Sequence, residues 1–237
     1  MRNFIFVLLF LPAFSWGQNS TVFQVWNEVG LSYKLDKKQS LAFDLTTRHD
    51  ALGIQTYFPQ ISYRYKVSKF FKPSIDYRYI GTRTNEGNYT YQHRLNANLQ
   101  FTHELDRLLL GLRMRYQYSS NRLAANFEPE FGQALRIKSS LAYDLKKSNL
   151  EPQISAEFFS GPMDGQNGYQ LNRIRWSIGL GYAINSAHAL EINYLYDQRI
   201  SSPGTLNRAI LNFSYGYNLD PEGSKKKQTA RRNSKFL

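Results

Sequence analysis

The 237-residue chain contains no cysteine, which excludes disulfides and thiolate metal sites. After residue 16 no apolar run approaches the ~20 residues that a membrane-spanning helix needs. Mean hydropathy is −0.51, too polar for a helical membrane protein. Helical spacing, apolar at i, i+3, i+4 and i+7, is sustained nowhere beyond the first residues. Acid is also scarce: Asp+Glu number 18 against 30 Lys+Arg, for a net charge of +12. Such a surplus ordinarily raises nucleic acid or an anionic membrane as a partner. No G-x-S-x-G, H-E-x-x-H or Gly-rich phosphate loop is present.

What is present begins with "MRNFIFVLLFLPAFSWGQ". A basic Arg2, an apolar run from Phe4 to Leu11, and small Ser15 and Gly17 before Gln18 have the layout of a secretory signal. Residues 1–17 are therefore expected to be a signal peptide, cleaved after Gly17. An N-terminal anchor helix fits less well, because the run is about half a membrane span. With no cysteine to follow, a lipoprotein anchor is excluded.

The rest of the chain alternates with period two. In "LLLGLRMRYQY", Leu108, Leu110, Leu112, Met114, Tyr116 and Tyr118 share one face, against Leu109, Gly111, Arg113, Arg115 and Gln117. The same pattern recurs in eleven segments, from "VFQVWNEVGLSYKL" at 22–35 to "AILNFSYGY" at 209–217. A soluble sandwich with one wet face also alternates. These segments, however, run about nine to fourteen residues against the ~5–6 usual in globular strands. Ten residues at ~3.3 Å, tilted ~45°, rise about 24 Å, close to the apolar band of an outer-membrane barrel. Tyrosines gather toward segment ends (Tyr63 and Tyr65, Tyr77 and Tyr79, Tyr116 and Tyr118, Tyr215 and Tyr217), as rings do at a membrane interface.

Connections alternate in length too. Short turns are expected at 36–39, 68–70, 103–107, 146–149 and 184–187, and longer loops at 49–55, 81–88, 119–130, 161–168 and 197–205. Short periplasmic turns and longer external loops are the habit of transmembrane barrels. The expected fold is thus all-β, an antiparallel transmembrane β-barrel of about 10–12 strands over residues 18–219 in a bacterial outer membrane. Eleven segments conflict with the even number expected of bacterial barrels. Either a short strand hides in a loop, or residues 22–35 do not all pair in the wall. Residues 220–237, with Lys225, Lys226, Lys227, Arg231, Arg232 and Lys235, read as a basic disordered tail. Outer-membrane lipid and lipopolysaccharide are the expected partners. Nucleic acid is not, since exported barrels meet little of it.

The run Trp26-Asn27-Glu28, ending at Tyr33-Lys34-Leu35, leads into Ser40-Leu41 and then Arg48. With Tyr77-Arg78-Tyr79 and His93-Arg94, it resembles the exported barrel family catalogued as domain of unknown function 2490. The resemblance covers about 20–219, implies an outer-membrane location and supplies no activity. The basic tail has no counterpart in it.

A lipase-like triad needs a nucleophile, a histidine in reach and an orienting group. Of the four histidines, His103 and His188 fall at short turns and His93 shares the outward parity of Tyr91. Only His49, beside Asp50, is placed near a lumen mouth, with no serine obviously paired. "FFSGPMDGQNGYQLNR" faintly resembles a stretch of outer-membrane phospholipases, but the chain lacks their histidine-then-serine motif. No catalytic residue, metal site or cofactor is assigned. A lipid- or lipopolysaccharide-modifying enzyme stays the second reading.

The inward parity carries Arg48, Arg78, Arg94, Arg113, Arg115, Arg136, Arg173 and Arg175, mostly toward the outer half. Its acids are fewer: Glu157 and Asp197 near the top, with Glu28, Asp44, Asp76 and Glu191 at less certain depth. Two readings stand: a structural ion-pair network filling a narrow barrel, or an anion-attracting vestibule for small anionic solutes, since guanidinium suits oxyanions. The mature protein should start at Gln18 and fractionate with outer membranes. N-terminal sequencing of membrane fractions checks this, and recovery as a soluble periplasmic protein would discard it.

Overall fold

Alternation gives each segment one apolar and one polar face, and a sheet of such strands must curl to separate them. The computed structural model describes residues 21–119, 132–162, 169–200 and 206–219. The expected signal at 1–17, the tail at 220–237, nearly all of the 119–130 loop, and much of the loops at 161–168 and 197–205 lie outside them.

The strands are β1 Thr21–Lys34, β2 Gln39–Asp50, β3 Gly53–Tyr65, β4 Phe71–Arg83, β5 Tyr89–Leu105, β6 Leu108–Ser119, β7 Gln133–Tyr143, β8 Leu150–Pro162, β9 Tyr169–Ala183, β10 His188–Arg199 and β11 Asn207–Asn218. They form one closed barrel in sequence order. Every neighbouring pair is antiparallel except the last. β1 joins β11 in parallel, from Thr21 opposite Asn207 to Ser32 opposite Asn218.

That seam corrects the expectation of a wholly antiparallel wall and answers the odd count. In a meander with an odd number of strands, the first and last point the same way, so only a parallel pair can close it. Neither expected escape is needed, because β1 pairs with β11 and, from Val25 to Lys34, with β2.

The turns between strands fall on two rims. One carries 35–38, 66–70, 106–107, 144–149 and 184–187; the other carries 51–52 and 84–88, with the ends of β6, β8 and β10 and the starts of β7, β9 and β11. We call these the turn rim and the loop rim. The longer loop expected at 49–55 is instead a tight hairpin, because β2 runs to Asp50 and β3 starts at Gly53. Arg83 clamps it, donating to both Asp50 carboxylate oxygens at 2.7 and 2.8 Å and to the Leu52 carbonyl at 2.8 Å. Gly53 takes φ 105, a conformation side chains disfavour. On the turn rim, Asp36 Oδ1 accepts the amides of Lys38 and Gln39 at 2.6 and 2.7 Å. These bonds, Lys38 first, hold its carboxyl below the ordinary carboxylate range.

The two faces of the wall invert the soluble order. Ile75 and Ile178 are each 61% exposed on the outside, whereas Gln92 is 0% and Asn96 1% exposed inside. Outer rings form belts toward both rims. Tyr79 stacks on Tyr91 at 5.3 Å toward the loop rim, and Phe71 stacks on Phe101 at 4.9 Å toward the turn rim. An apolar band between aromatic girdles suits hydrocarbon rather than water.

Arginine placed at outward Leu112 should therefore cost assembly about 2–4 kcal/mol. Arginine at Ser32, on the interior wall, should be tolerated. Folding yields in lipid vesicles test the order, and equal losses would contradict the two faces.

Candidate functional site in the barrel interior

Parity on successive strands sends Trp26 (β1), Arg48 (β2), Phe58 (β3), Arg78 (β4), Arg136 (β7), Phe159 (β8) and Arg175 (β9) inward. They meet in a layer of rings and guanidinium groups. Arg48 Cζ lies 4.1 Å from the Trp26 ring centroid and 5.2 Å from that of Phe58. Arg78 covers Phe58 at 4.8 Å. Phe159 is flanked by Arg173 at 3.9 Å, Arg136 at 4.4 Å and Arg175 at 5.3 Å, and Arg175 also lies 4.9 Å from Trp26. Each such contact contributes roughly 0.5–2 kcal/mol, more as it is desolvated. The indole is oriented in turn: Trp26 Nε1 donates to Gln24 Oε1 at 3.1 Å, and Gln24 Nε2 donates to Gln55 at 2.6 Å. β-bulges interrupt the register between Arg48 and His49 and between Phe159 and Ser160, beside two members of the layer. Bulges re-aim side chains, which fits their place here.

Three of the expected acids hold arginines directly. Asp197 accepts from Arg175 Nε and Nη2 at 2.5 and 2.7 Å, and from Arg173 at 3.5 Å. Glu157 lies between Arg113 at 2.8 Å and Arg136 at 3.0 Å. Asp76 meets Arg115 at 3.0 Å, and Asn98 donates to the same oxygen at 3.0 Å. The other expected acids take different donors. Gln60 donates to Asp44 at 3.3 Å, Thr46 to Glu28 at 3.5 Å, and Asn193 to Glu191 at 2.8 Å, with Gln153 also on Glu191.

Other inward arginines take polar partners as well. Arg115 sits with Asp76 and Asn98 and stands opposite Arg136 in the β6–β7 register. Arg94 donates to Ser119 at 3.2 Å and Gln92 at 3.3 Å. Arg78 Nε donates to Gln60.

Toward the turn rim the interior holds a cavity of about 80 Å³. Its walls carry small residues, Gly30, Ser32, Ser62, Gly181 and Gly216, with Glu28, Glu151, Glu191 and Arg64. Room there follows from missing side chains rather than from a wider barrel. Above it, Gly179 has a different cause: a Cβ would stand 1.8 Å from Asn193 Oδ1, so only glycine fits.

The chain matches the family described as "Protein of unknown function (DUF2490)" over residues 23–209. It belongs to that family. Among solved structures, this DUF2490 barrel is similar to a NanC porin in a rhombohedral crystal form. The two are 13% identical with a TM-score of 0.47, over 75% of this chain and 81% of the porin. It is also similar to OccAB4 of Acinetobacter baumannii, 14% identical with a TM-score of 0.39, over 72% of this chain and 48% of that one. Comparison with curated proteins gave no significant match.

In the DUF2490 barrel the histidines fall outside this interior. His93 Nδ1 meets the Tyr77 hydroxyl at 2.7 Å on the outer wall, His103 lies against Phe70, and His188 meets the Tyr215 hydroxyl at 2.6 Å. His49, expected near a lumen mouth, pairs instead with Thr47 at 3.0 Å, on the parity of outward Leu45.

Phe58 and Phe159 were legible only as parity partners of Gln60 and Glu157, and their outward neighbours Tyr57 and Phe158 masked them. Buried Lys138 and Arg208 were likewise missed as site members. Lys138 alternates with Arg136, but Arg208 sits at a strand start where alternation has barely begun.

Removing one partner of a buried pair strands the other charge. Asp76→Ala should lower stability by about 3–5 kcal/mol, and the double change Asp76→Leu, Arg115→Met should recover most of it. Urea unfolding in micelles measures both. An equal loss in the double variant would mean that burial, not pairing, holds the site.

Proposed function

We propose that this chain is exported by a cleaved signal at 1–17 and resides in the bacterial outer membrane as a narrow, porin-like barrel whose arginine-rich lumen favours small anions. Membrane residence is supported by the apolar outer band between aromatic belts. Lipid and lipopolysaccharide are the partners that this outer wall would meet.

The anion reading is carried by one observation. Asp76, Glu157 and Asp197 hold Arg113, Arg115, Arg136, Arg173 and Arg175, whereas Arg48 and Arg78 rest on rings. Charge fixed by ring faces leaves a positive field that the low-dielectric wall focuses. Charged side chains lining a pore select ions in the same way.

A second reading has its own support. The packed layer of Trp26, Phe58 and Phe159 with its guanidinium groups fills much of the lumen, as in a structural barrel without steady current.

Planar-bilayer recordings under a salt gradient separate the two. The anion reading expects small currents with an anion-selective reversal potential, moved toward cations in Arg78→Gln, Arg94→Gln. Cation selectivity in the wild type would end it. Silence in both proteins would favour the structural barrel.

A further inference from the structure

Within the ring and guanidinium layer, Arg48 is held differently from its neighbours. Arg136, Arg173 and Arg175 also touch rings, but each reaches a carboxylate. Arg48 donates no hydrogen bond to any described residue, and its Nε is buried without a partner. Its Cζ lies over the Trp26 ring, 4.1 Å from the centroid, and 5.2 Å from that of Phe58. Ring contacts use the π-face of a guanidinium and leave its N–H edge unused. That edge is a fork of donors matched to two oxygens of a carboxylate or phosphate. Although it faces the interior, Arg48 keeps intermediate exposure. On the far side of Phe58 in sequence, Arg78 on β4 offers a second guanidinium, fixed through Nε by Gln60. The bulge after Arg48 supplies the local departure from regular pairing that aims it.

We propose that Arg48, braced by Trp26 and Phe58 and assisted by Arg78, is a binding site for an oxyanion, a carboxylate or phosphate group of a small solute. The proposal rests on the anion reading of the lumen and names the group that makes the contact. A guanidinium held against rings loses little freedom on binding, and Asp197, whose charge also acts on Arg48, accepts its hydrogen bonds from Arg175 and Arg173 instead.

Trp26 reports on the site directly. The chain has three tryptophans, and Trp176 lies on the outer wall, 48% exposed. The full chain carrying Trp16→Phe and Trp176→Phe, refolded in micelles, leaves Trp26 as the sole indole. Titration with inorganic phosphate should change its emission saturably, while sodium chloride of equal ionic strength should not. Arg48→Gln should raise the half-saturating phosphate concentration by about tenfold or more. Arg64→Gln, which removes an interior charge elsewhere, should leave it within about twofold, separating contact from net field. If Arg48→Gln fails to fold, Arg48→Lys decides: it keeps the charge without the fork, and a wild-type response from it overturns the proposal. So does the lack of any phosphate-specific change in the parent protein. The reversal potential tests the parent reading separately. An anion-selective barrel blind to phosphate sinks the Arg48 site alone, and a phosphate-responsive but cation-selective barrel sinks the passage and keeps the site.

Discussion

A sheet that turns an apolar face to hydrocarbon finds no water to satisfy its edges, so each backbone N–H and C=O must be bonded within the wall. Every other feature of this molecule depends on that closure. Eleven strands in sequence order cannot close with antiparallel pairs alone, and the parallel β1–β11 seam is how the ring is completed. Its bonds are slanted and slightly weaker per residue than antiparallel ones. The length of the seam, Thr21 to Ser32, compensates.

Closure at this strand number leaves an interior narrow enough for side chains to reach past the neighbouring strand. Side chains from strands that do not pair therefore meet: Arg113 on β6 with Glu157 on β8, Arg115 on β6 with Asp76 on β4, and Arg175 on β9 with Trp26 on β1. Charge taken out of water in such a space needs partners. Asp76, Glu157 and Asp197 hold part of the inward arginine set, and aromatic faces also support Arg48 and Arg78. Small residues toward the turn rim leave the cavity there. The interior thus has two regions, one packed with rings and guanidinium groups and one with a small cavity among glycines, serines and the carboxylates Glu28, Glu151 and Glu191.

The wall was legible in the sequence because its period is two and both faces obey it. All eleven alternating segments became strands, and the outward set Leu108, Leu110, Leu112, Met114, Tyr116 and Tyr118 is exposed as a set. Closure was not legible, because alternation says which face a residue takes and nothing about its neighbour across a seam. The hairpin at 51–52 was hidden for another reason: Arg83, thirty-odd positions away, clamps it, and no local pattern announces a distant clamp. Within the interior, parity gave the inward direction of Arg48 and Asp197 but not who meets whom. Partnership depends on strand stagger, which turn lengths and bulges set. Phe58 and Phe159 show the bias of reading by polarity, since a ring on the inner face looks like a break in the pattern until the charge it supports is seen.

The parallel seam also gives the molecule a direction that an even meander lacks. A chain that crosses a membrane an even number of times comes back to the side where it set out, and both of its ends share one compartment. Here Thr21 opens β1 at the loop rim and Asn218 closes β11 at the turn rim, with the full height of the wall between them. The two ends of the wall therefore stand on opposite rims, and a linker joining them would have to run the barrel's full height.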